Sequence, residues 1–323
     1  MFEELHFVVH ASVFPGFPLD WDRIFPKAQP INLEIGFGNG EFIEQLAQHN
    51  PHENFVGFEM SVSSVAKTQR RLHRKGIQNV RIVMTDGRFG ITNLFPEESL
   101  QRVYLNFPCP WSKARHFERR VAIPSFFAAL NMVLVKDGVF DLSTDVEGYA
   151  METAQIAREQ GFCVPPVRVN EPREIRTRFE KKWMKYGRNI YRLHAQKKTY
   201  QQVPRILREV EVMPHARVSK SQSFLDNLAI GVNRPLQSGD GSSVCVFKGL
   251  FKDKVSEHFL VKTIAVDEAF EQHFFIDIFS RGDEWVVKLD SVSNPYRTPA
   301  VKFAVASLAK LLVRGVALWE GKK

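Results

Sequence analysis

The distribution of apolar residues divides the chain into two regions with different periodicity. From about residue 30 to 195, short runs rich in β-branched and aromatic residues alternate with amphipathic stretches, the order that builds a parallel sheet covered by helices. The candidate strands are INLEIGF (31–37), NFVGFEM (54–60), VRIVMTD (80–86), SLQRVYLNF (99–107), GVFDLST (138–144) and NIYRLHAQ (189–196). We therefore predict an α/β fold with a doubly wound, Rossmann-like sheet.

Two of the intervening stretches carry clear helix signals. Residues 40–49 place Glu41 and Glu44 in what would be the first turn, where acidic side chains favour the positive end of the helix. Residues 61–75 begin with serines that suit an N-cap and end in basic residues. Both segments are predicted to be helices.

After about residue 200 the pattern becomes one of hairpins followed by a helix. Turn-forming sequences at 237–243 and 280–285 separate apolar, alternating runs. The segments are RILREVEVMP, SSVCVFKGLFKD, EHFLVKTIAVDE, HFFIDIFSRGDEWVVKLD and the amphipathic AVKFAVASLAKLLVRGVALW. We predict two domains: residues 1–200, with a core of about 25–198, and a smaller α+β domain of residues 201–323.

The composition narrows the function classes. Of the 323 residues 44% are hydrophobic, and no apolar run is long enough to cross a bilayer. Acidic residues precede the short apolar run at the N-terminus, the reverse of a secretory signal, so we expect a cytoplasmic protein that does not bind a membrane. Cys109, Cys163 and Cys245 lie far apart without CxxC spacing, and we expect neither a disulfide framework nor a metal site.

Positive charge is concentrated in two blocks. The net charge is +8, but residues 61–120 carry 12 Lys and Arg against 4 Asp and Glu, and residues 151–200 carry 12 against 5. Each block alone could be a solvated surface. Because the two blocks flank a ligand-binding pattern, they favour a nucleic acid as partner.

The candidate cofactor loop is the sequence EIGFGNG, residues 34–40. Gly36, Gly38 and Gly40 follow a strand and precede a helix, where glycines allow tight turns and close approach of a ligand. A glycine-rich turn without a ligand and a nicotinamide dinucleotide site are the alternatives, but the third glycine of the dinucleotide fingerprint is displaced. Glu34 would repel a pyrophosphate and suits the cationic methionyl group of S-adenosylmethionine.

Two more carboxylates are predicted at the ends of the next strands. Glu59 follows the glycines by about 20 residues, where a carboxylate can accept both hydroxyls of a ribose. Asp86 ends the third strand and could accept from an adenine amino group. Each alone could be a turn residue or helix cap, whereas the three acids at successive strand ends favour a bound nucleoside.

The fourth strand leads into NFPCPWSKARHFERR, residues 106–120. Two prolines fix the backbone, Trp111 offers a ring for stacking on a base, and cationic residues follow that could hold phosphate. This stretch and EIGFGNG resemble the bacterial tRNA (guanine-N7)-methyltransferase family, whose loop reads roughly PDPWxKxRHxxRR. The segments LSTDVEGYA (142–150) and TRFEKK (177–182) resemble the family's threonine–aspartate and TxFE segments.

The resemblance covers about residues 30–198 and implies S-adenosylmethionine as cofactor and tRNA as substrate, without a metal. It implies cofactor contacts at Glu34, Glu59 and Asp86. The residues implied to contact the target guanosine are Lys113, Asp145, Thr177, Arg178, Phe179 and Glu180. The residues expected to face RNA are Trp111, Arg115, His116, Arg119 and Arg120. Region 201–323 resembles an extension found in some thermophilic members, and its role in RNA binding, stability or self-association stays open.

Cys109 departs from the family pattern, which has aspartate between the two prolines. Guanine N7 carries no proton, so its methylation requires alignment more than a base. Asp145 and Glu180 are expected to take over part of the electrostatic role of the missing aspartate. The simplest interpretation of Cys109 is a small apolar filler. The alternatives are an RNA cytosine-C5 methyltransferase with Cys109 as nucleophile and a tRNA-binding protein with weak activity.

Overall fold

The computed structural model describes residues 7–111, 113–207, 213–220 and 232–314. The chain forms two compact units. The N-terminal unit comprises Met1–Ala11 and Phe17–Arg205, and the C-terminal unit comprises Ser12–Gly16 and Ile206–Lys323. Each unit has its own sheet.

The N-terminal unit is built on a seven-stranded sheet with the order β3-β2-β1-β4-β5-β7-β6. Its strands are β1 (Ile31–Ile35), β2 (Asn54–Phe58), β3 (Val80–Val83), β4 (Leu100–Asn106), β5 (Leu134–Thr144), β6 (Arg168–Val169) and β7 (Tyr191–Gln196). β1 to β5 pair in parallel, which confirms the predicted α/β class. β7 pairs antiparallel with β5, and β6 pairs antiparallel with β7. The expectation of a wholly parallel sheet is therefore wrong for these two strands.

Helices connect the strands of this unit. They are α1 (Trp21–Ile24), α2 (Glu41–His49), α3 (Val62–Arg74), α4 (Gly87–Leu94), α5 (Pro124–Val133), α6 (Glu147–Glu159) and α7 (Arg178–Lys185). The Ser61 hydroxyl caps α3 by accepting from the Ser64 amide at 3.3 Å, as the sequence predicted. Within the described ranges, no helix of either unit is both long and apolar enough to span a bilayer.

Three of the parallel strands are buried along their whole length. Every residue of β1, β2 and β3 is buried, as expected for strands covered by helices on both faces. β5 begins at Leu134, four residues before the predicted start, because Leu134 already pairs with Leu100 ahead of an irregularity in the register. Because β1 to β5 run parallel, their carboxyl ends meet along one edge of the sheet, where such sheets bind ligands.

The C-terminal unit is a six-stranded antiparallel sheet with a helix on one face. The strand order is β8-β13-β12-β11-β10-β9, from β8 (His215–Ser219), β9 (Pro235–Gln237), β10 (Ser243–Lys252), β11 (His258–Asp267), β12 (Phe270–Arg281) and β13 (Glu284–Leu289). Helix α8 (Pro299–Arg314) packs on it through a shared apolar core. Residues 208–212 of the predicted RILREVEVMP strand and 315–319 of the predicted final helix lie outside the described residues.

Phe127 should be a stability determinant of the N-terminal unit. Its side chain is fully buried and its ring centroid lies 5.2 Å from that of Phe140 and 5.5 Å from that of Phe162. Phe127→Ala should lower the free energy of unfolding of this unit by about 3–5 kcal/mol through lost burial and a cavity. Denaturant titration followed by circular dichroism measures this, with exposed Met151→Ala as control; equal losses in both variants would contradict it.

Candidate active site

A cleft of about 410 Å³ opens at the carboxyl end of the sheet. Three segments that are distant in the sequence form its walls: the β1–α2 loop, the end of β4 and the start of α7. The lining residues are Glu34, Gly36, Phe37, Gly38, Asn39, Glu41, Phe42, Asn106, Phe107, Thr177, Arg178, Phe179 and Lys182. The folded chain thus brings the predicted cofactor loop and the predicted guanosine-binding segment to one cavity.

The glycines of the β1–α2 loop serve two purposes. Gly36 and Gly38 have φ angles of +71° and +57°, and a Cβ built on either would meet no atom within 4 Å. A Cβ on Gly40 would lie 2.4 Å from the Thr68 side chain. Gly36 and Gly38 therefore leave open space on the cleft side of the loop, whereas Gly40 permits close packing of α2 against α3.

Glu34 is a buried carboxylate that faces the cleft. Its Oε1 accepts a hydrogen bond of 3.1 Å from Asn106 Nδ2, and its Oε2 is buried without a hydrogen-bond partner among the described residues. Burial raises the pKa of Glu34 to about 7, against the opposing effects of Asn106, Arg173 and the Ile43 amide. The side chain is therefore poised to ionise when a cation arrives.

Glu59 and Asp86 lie at the ends of the two neighbouring strands but do not line the cleft. Glu59 accepts hydrogen bonds of 2.9–3.0 Å from the amides of Gly38, Met60 and Ser61, so it anchors the glycine loop. Asp86 caps α4: its Oδ1 accepts from the amides of Arg88 and Phe89 at 2.9 and 3.1 Å. Both carboxylates therefore have structural roles. Their predicted contacts with ribose and adenine stay predictions.

The opposite wall of the cleft is the first turn of α7. The Thr177 hydroxyl accepts a hydrogen bond of 3.0 Å from the Glu180 amide and caps the helix. Phe179 is 52% exposed, and its ring stacks on that of Phe107 with 6.1 Å between the centroids. The exposed side chains of Arg178 and Lys182 complete the wall, which therefore presents an aromatic surface and two cations.

Glu180 does not lie on the cleft surface, contrary to the expected contact with guanosine. It is completely buried and forms ion pairs with Arg173 at 2.8 Å, Arg176 at 3.8 Å and Arg192. Arginine pairing of this kind offsets the cost of removing a carboxylate from water. Through these ion pairs Glu180 fixes the start of α7, and its expected catalytic role stays a prediction.

The loop after β4 has a strained backbone and a cationic surface. Phe107 and Trp111 adopt φ angles of +49° and +42°, which cost energy for residues with large side chains. Arg119 lies over the Trp111 ring at 5.3 Å, and His116 contacts its edge. Lys113 and Arg115 are exposed, so the predicted RNA-facing residues of this loop, apart from Arg120, are near the surface.

Arg120 is buried, contrary to the expectation that it faces RNA. It is 6% exposed, donates 2.8 Å to the Pro110 carbonyl and pairs with Glu152 at 2.6 Å. Its guanidinium carbon also lies 3.9 Å from the Phe117 ring centroid. The sequence motif grouped it with the exposed cations, but it holds the loop against α6.

Asp145 and Cys109, the two other residues predicted to be catalytic, lie in different environments. Asp145 is mostly buried and pairs with Arg188 at 2.8 Å, so it also has a structural partner. Cys109 is exposed, and the interpretation as an apolar filler is therefore wrong. An exposed thiol between Pro108 and Pro110 is instead available to solvent or to a bound substrate.

Sequence reasoning missed several residues that build the cleft. Asn106 and Phe107 were seen only as the end of a strand, and Lys182 only as part of a basic segment. Arg173 donates at 3.3 Å to Asn106 Oδ1 and pairs with Glu180, but it follows no motif. Asparagine at the end of β4 was the available signal, since polar residues at strand ends point into this edge.

The buried charge of Glu34 predicts a pH-dependent stability. The pKa is about 7 in the folded protein and close to 4.5 when exposed, so stability is lost as pH rises between these values. Glu34→Gln should remove this loss. Between pH 5 and pH 8, the free energy of unfolding of the parent should therefore fall by roughly 2–3 kcal/mol more than that of the variant. Denaturant titration at both pH values measures it. The control is Glu174→Gln, at a side chain that is 82% exposed; equal pH dependence of parent and Glu34→Gln would contradict the assignment.

Comparison with known proteins identifies the family. Residues 28–193 match a family model described as "Putative methyltransferase". A tRNA (guanine-N(7)-)-methyltransferase of Thermotoga maritima is 38% identical over 93% of this chain and 94% of its own. Another, of Coprothermobacter proteolyticus, is 31% identical over 93% of this chain and 92% of its own.

A shorter relative matches less of the chain. The tRNA (guanine-N(7)-)-methyltransferase of Lactobacillus helveticus is 35% identical over 189 residues, which are 56% of this chain and 87% of its own. The Thermotoga and Coprothermobacter matches are long enough to include residues of both units, whereas the Lactobacillus match covers little more than half of this chain. With a family model over half the chain and a relative 38% identical over nearly all of it, the chain belongs to the tRNA (guanine-N(7)-)-methyltransferase family.

Proposed function

We propose that the protein transfers a methyl group from S-adenosylmethionine to N7 of a guanosine in tRNA. The observation that carries this proposal is the cleft in which buried Glu34 faces the aromatic and cationic start of α7. One wall suits a cationic cofactor and the other suits a base with its phosphates. The activity stated in the names of the three relatives agrees with this arrangement.

The cofactor half of the cleft fits S-adenosylmethionine in three respects. Glu34 Oε2 is buried without a partner among the described residues, and the methionyl ammonium is a donor that would satisfy it. Open space beside Gly36 and Gly38 leaves room for the ligand. Glu59 and Asp86, which lie at the ends of neighbouring strands, would bind the ribose hydroxyls and the adenine amino group.

Methyl transfer to N7 requires little proton transfer by the residues of the chain. When bound, S-adenosylmethionine supplies an electrophilic methyl group on a positively charged sulfur. Guanine N7 attacks with its lone pair, so a carbon–nitrogen bond forms, a carbon–sulfur bond breaks and positive charge passes to the base. The cleft walls align the two ligands, and the ionised Glu34 stabilises positive charge beside them.

The α7 wall would hold the target base. The exposed Phe179 ring, backed by Phe107, provides a surface on which a purine can stack. Arg178 and Lys182, exposed on the same wall, would hold the adjoining phosphates. Asp145 and Thr177 already bond to Arg188 and to the Glu180 amide, so we assign them to positioning of this wall.

The rest of the tRNA would contact the loop after β4. Lys113, Arg115 and Arg119 provide positive charge near Trp111, and charge interleaved with aromatic rings is typical of RNA-binding surfaces. His116 lies at the edge of the same ring. A tRNA substrate supports the expected cytoplasmic location of the protein.

A methylation assay tests the proposed function directly. Purified protein, unmodified tRNA transcript and labelled S-adenosylmethionine should give labelled tRNA that aniline cleaves at one guanosine and that yields N7-methylguanosine on nucleoside analysis. Glu34→Gln should reduce the incorporation by at least about tenfold, because the ligand cation loses a charged partner. RNA binding without methyl transfer, or label in cytosine, would reject the proposal.

Substitution of Cys109 separates the two methyltransferase chemistries. Cys109→Ala should keep guanine methylation within about tenfold of the parent, since N7 needs no covalent catalysis. Cys109→Asp, which restores the residue of the family pattern, should preserve or raise the rate. The measurement is the initial rate with tRNA transcript. Complete loss in Cys109→Ala together with a covalent adduct between the parent protein and RNA would instead assign Cys109 as a nucleophile.

A further inference from the structure

A chain of polar contacts runs beneath the cleft from the cofactor wall to the α7 wall. Glu34 accepts from Asn106, Asn106 accepts from Arg173, and Arg173 pairs with Glu180 in the first turn of α7. These contacts join β1, β4, the segment before α7 and α7 itself. Each link is a hydrogen bond or ion pair of 2.8–3.3 Å.

Arg173 determines which way the Asn106 amide points. A guanidinium only donates hydrogen bonds, so Asn106 must turn its oxygen toward Arg173, whose two terminal nitrogens both donate at 3.3 Å. The amide nitrogen of Asn106 then points at Glu34 Oε1. With the amide reversed, its oxygen would face the Glu34 carboxylate and the two acceptors would repel.

Arg173 is itself held in place on two sides. Its Nε donates 2.8 Å to Glu180, and its guanidinium carbon lies 4.6 Å from the ring centroid of Phe42. Phe42 is buried at the start of α2 and lines the cleft. The planar fork of arginine bonds Asn106 and Glu180 through separate nitrogens, whereas lysine would have to bond both acceptors from one ammonium group on a shorter side chain.

We propose that Arg173 is a positioning residue that couples the cofactor-binding and guanosine-binding walls of the cleft. The proposal rests on the function proposed above. By orienting Asn106 it presents the free oxygen of Glu34 to the cofactor, and through Glu180 it fixes the turn that carries Arg178 and Phe179. Binding on one wall therefore favours the arrangement required on the other, and the effect is reciprocal.

Arg176 provides a matched control for this proposal. It also pairs with Glu180, at 3.8 Å, and its side chain is 37% exposed, but its described contacts do not include Asn106. Arg176→Gln removes one positive charge near Glu180, as Arg173→Gln does. The two variants thus differ in the link to the cofactor wall.

The test measures binding of S-adenosylhomocysteine by calorimetry, with and without saturating tRNA transcript. This reaction product lacks the transferable methyl group, so no turnover occurs. Arg173→Gln should weaken its binding by about tenfold, the effect of disturbing a hydrogen bond to a charged group. In the same variant, tRNA should no longer change the affinity, whereas Arg176→Gln should retain the parent's affinity within about twofold and its response to tRNA.

Arg173→Lys guards against a variant that fails to fold. Lysine keeps a charge beside buried Glu180, so this protein should fold, yet it should lose affinity and coupling as Arg173→Gln does. Parent-like binding in Arg173→Lys, or equal losses in Arg173→Gln and Arg176→Gln, would overturn the proposal. Methylation by the parent protein tests the proposed function separately, because the binding measurements need no methyl transfer.

Discussion

The cleft depends on the burial of one carboxylate with an oxygen left unsatisfied by the described residues. Glu34 lies in a strand whose residues are all buried, and its pKa of about 7 reflects the cost of an ionised group away from water. Asn106 donates to one oxygen of this carboxylate, and the other oxygen is buried without a hydrogen-bond partner among the described residues. Stability is thus reduced at the place where a cationic ligand would restore it, a common relation between stability and binding.

The cations of the N-terminal unit divide into structural and exposed sets. Arg120 and Arg192 are buried, and they hold the loop after β4 and the start of α7. Lys113, Arg115 and Lys182 are exposed at or near the proposed RNA-binding surface. Two basic blocks in the sequence therefore contain both the residues that build the site and those available to a polyanion.

The loop after β4 combines backbone strain with external support. Positive φ angles at Phe107 and Trp111 bracket Cys109, and such conformations persist when surrounding contacts enforce them. Arg120 supplies such a contact at the Pro110 carbonyl, and Phe179 packs on Phe107 from the other wall. The position of Cys109 is consequently determined by residues on both sides of the cleft.

The sequence by itself determined the fold class, the family and the placement of acidic residues at the ends of successive strands. Hydrophobic periodicity and strand-end motifs are local signals, so they can be recognised without the tertiary structure. The sequence also placed Glu34 and Gly38 correctly in relation to β1 and α2. Only the tertiary structure decided that Glu180 and Arg120 are buried, that Cys109 is exposed and that Arg173 joins Asn106 to Glu180. Burial and pairing arise between segments far apart in the chain, so a run of charged residues looks the same whether each faces water or another charge.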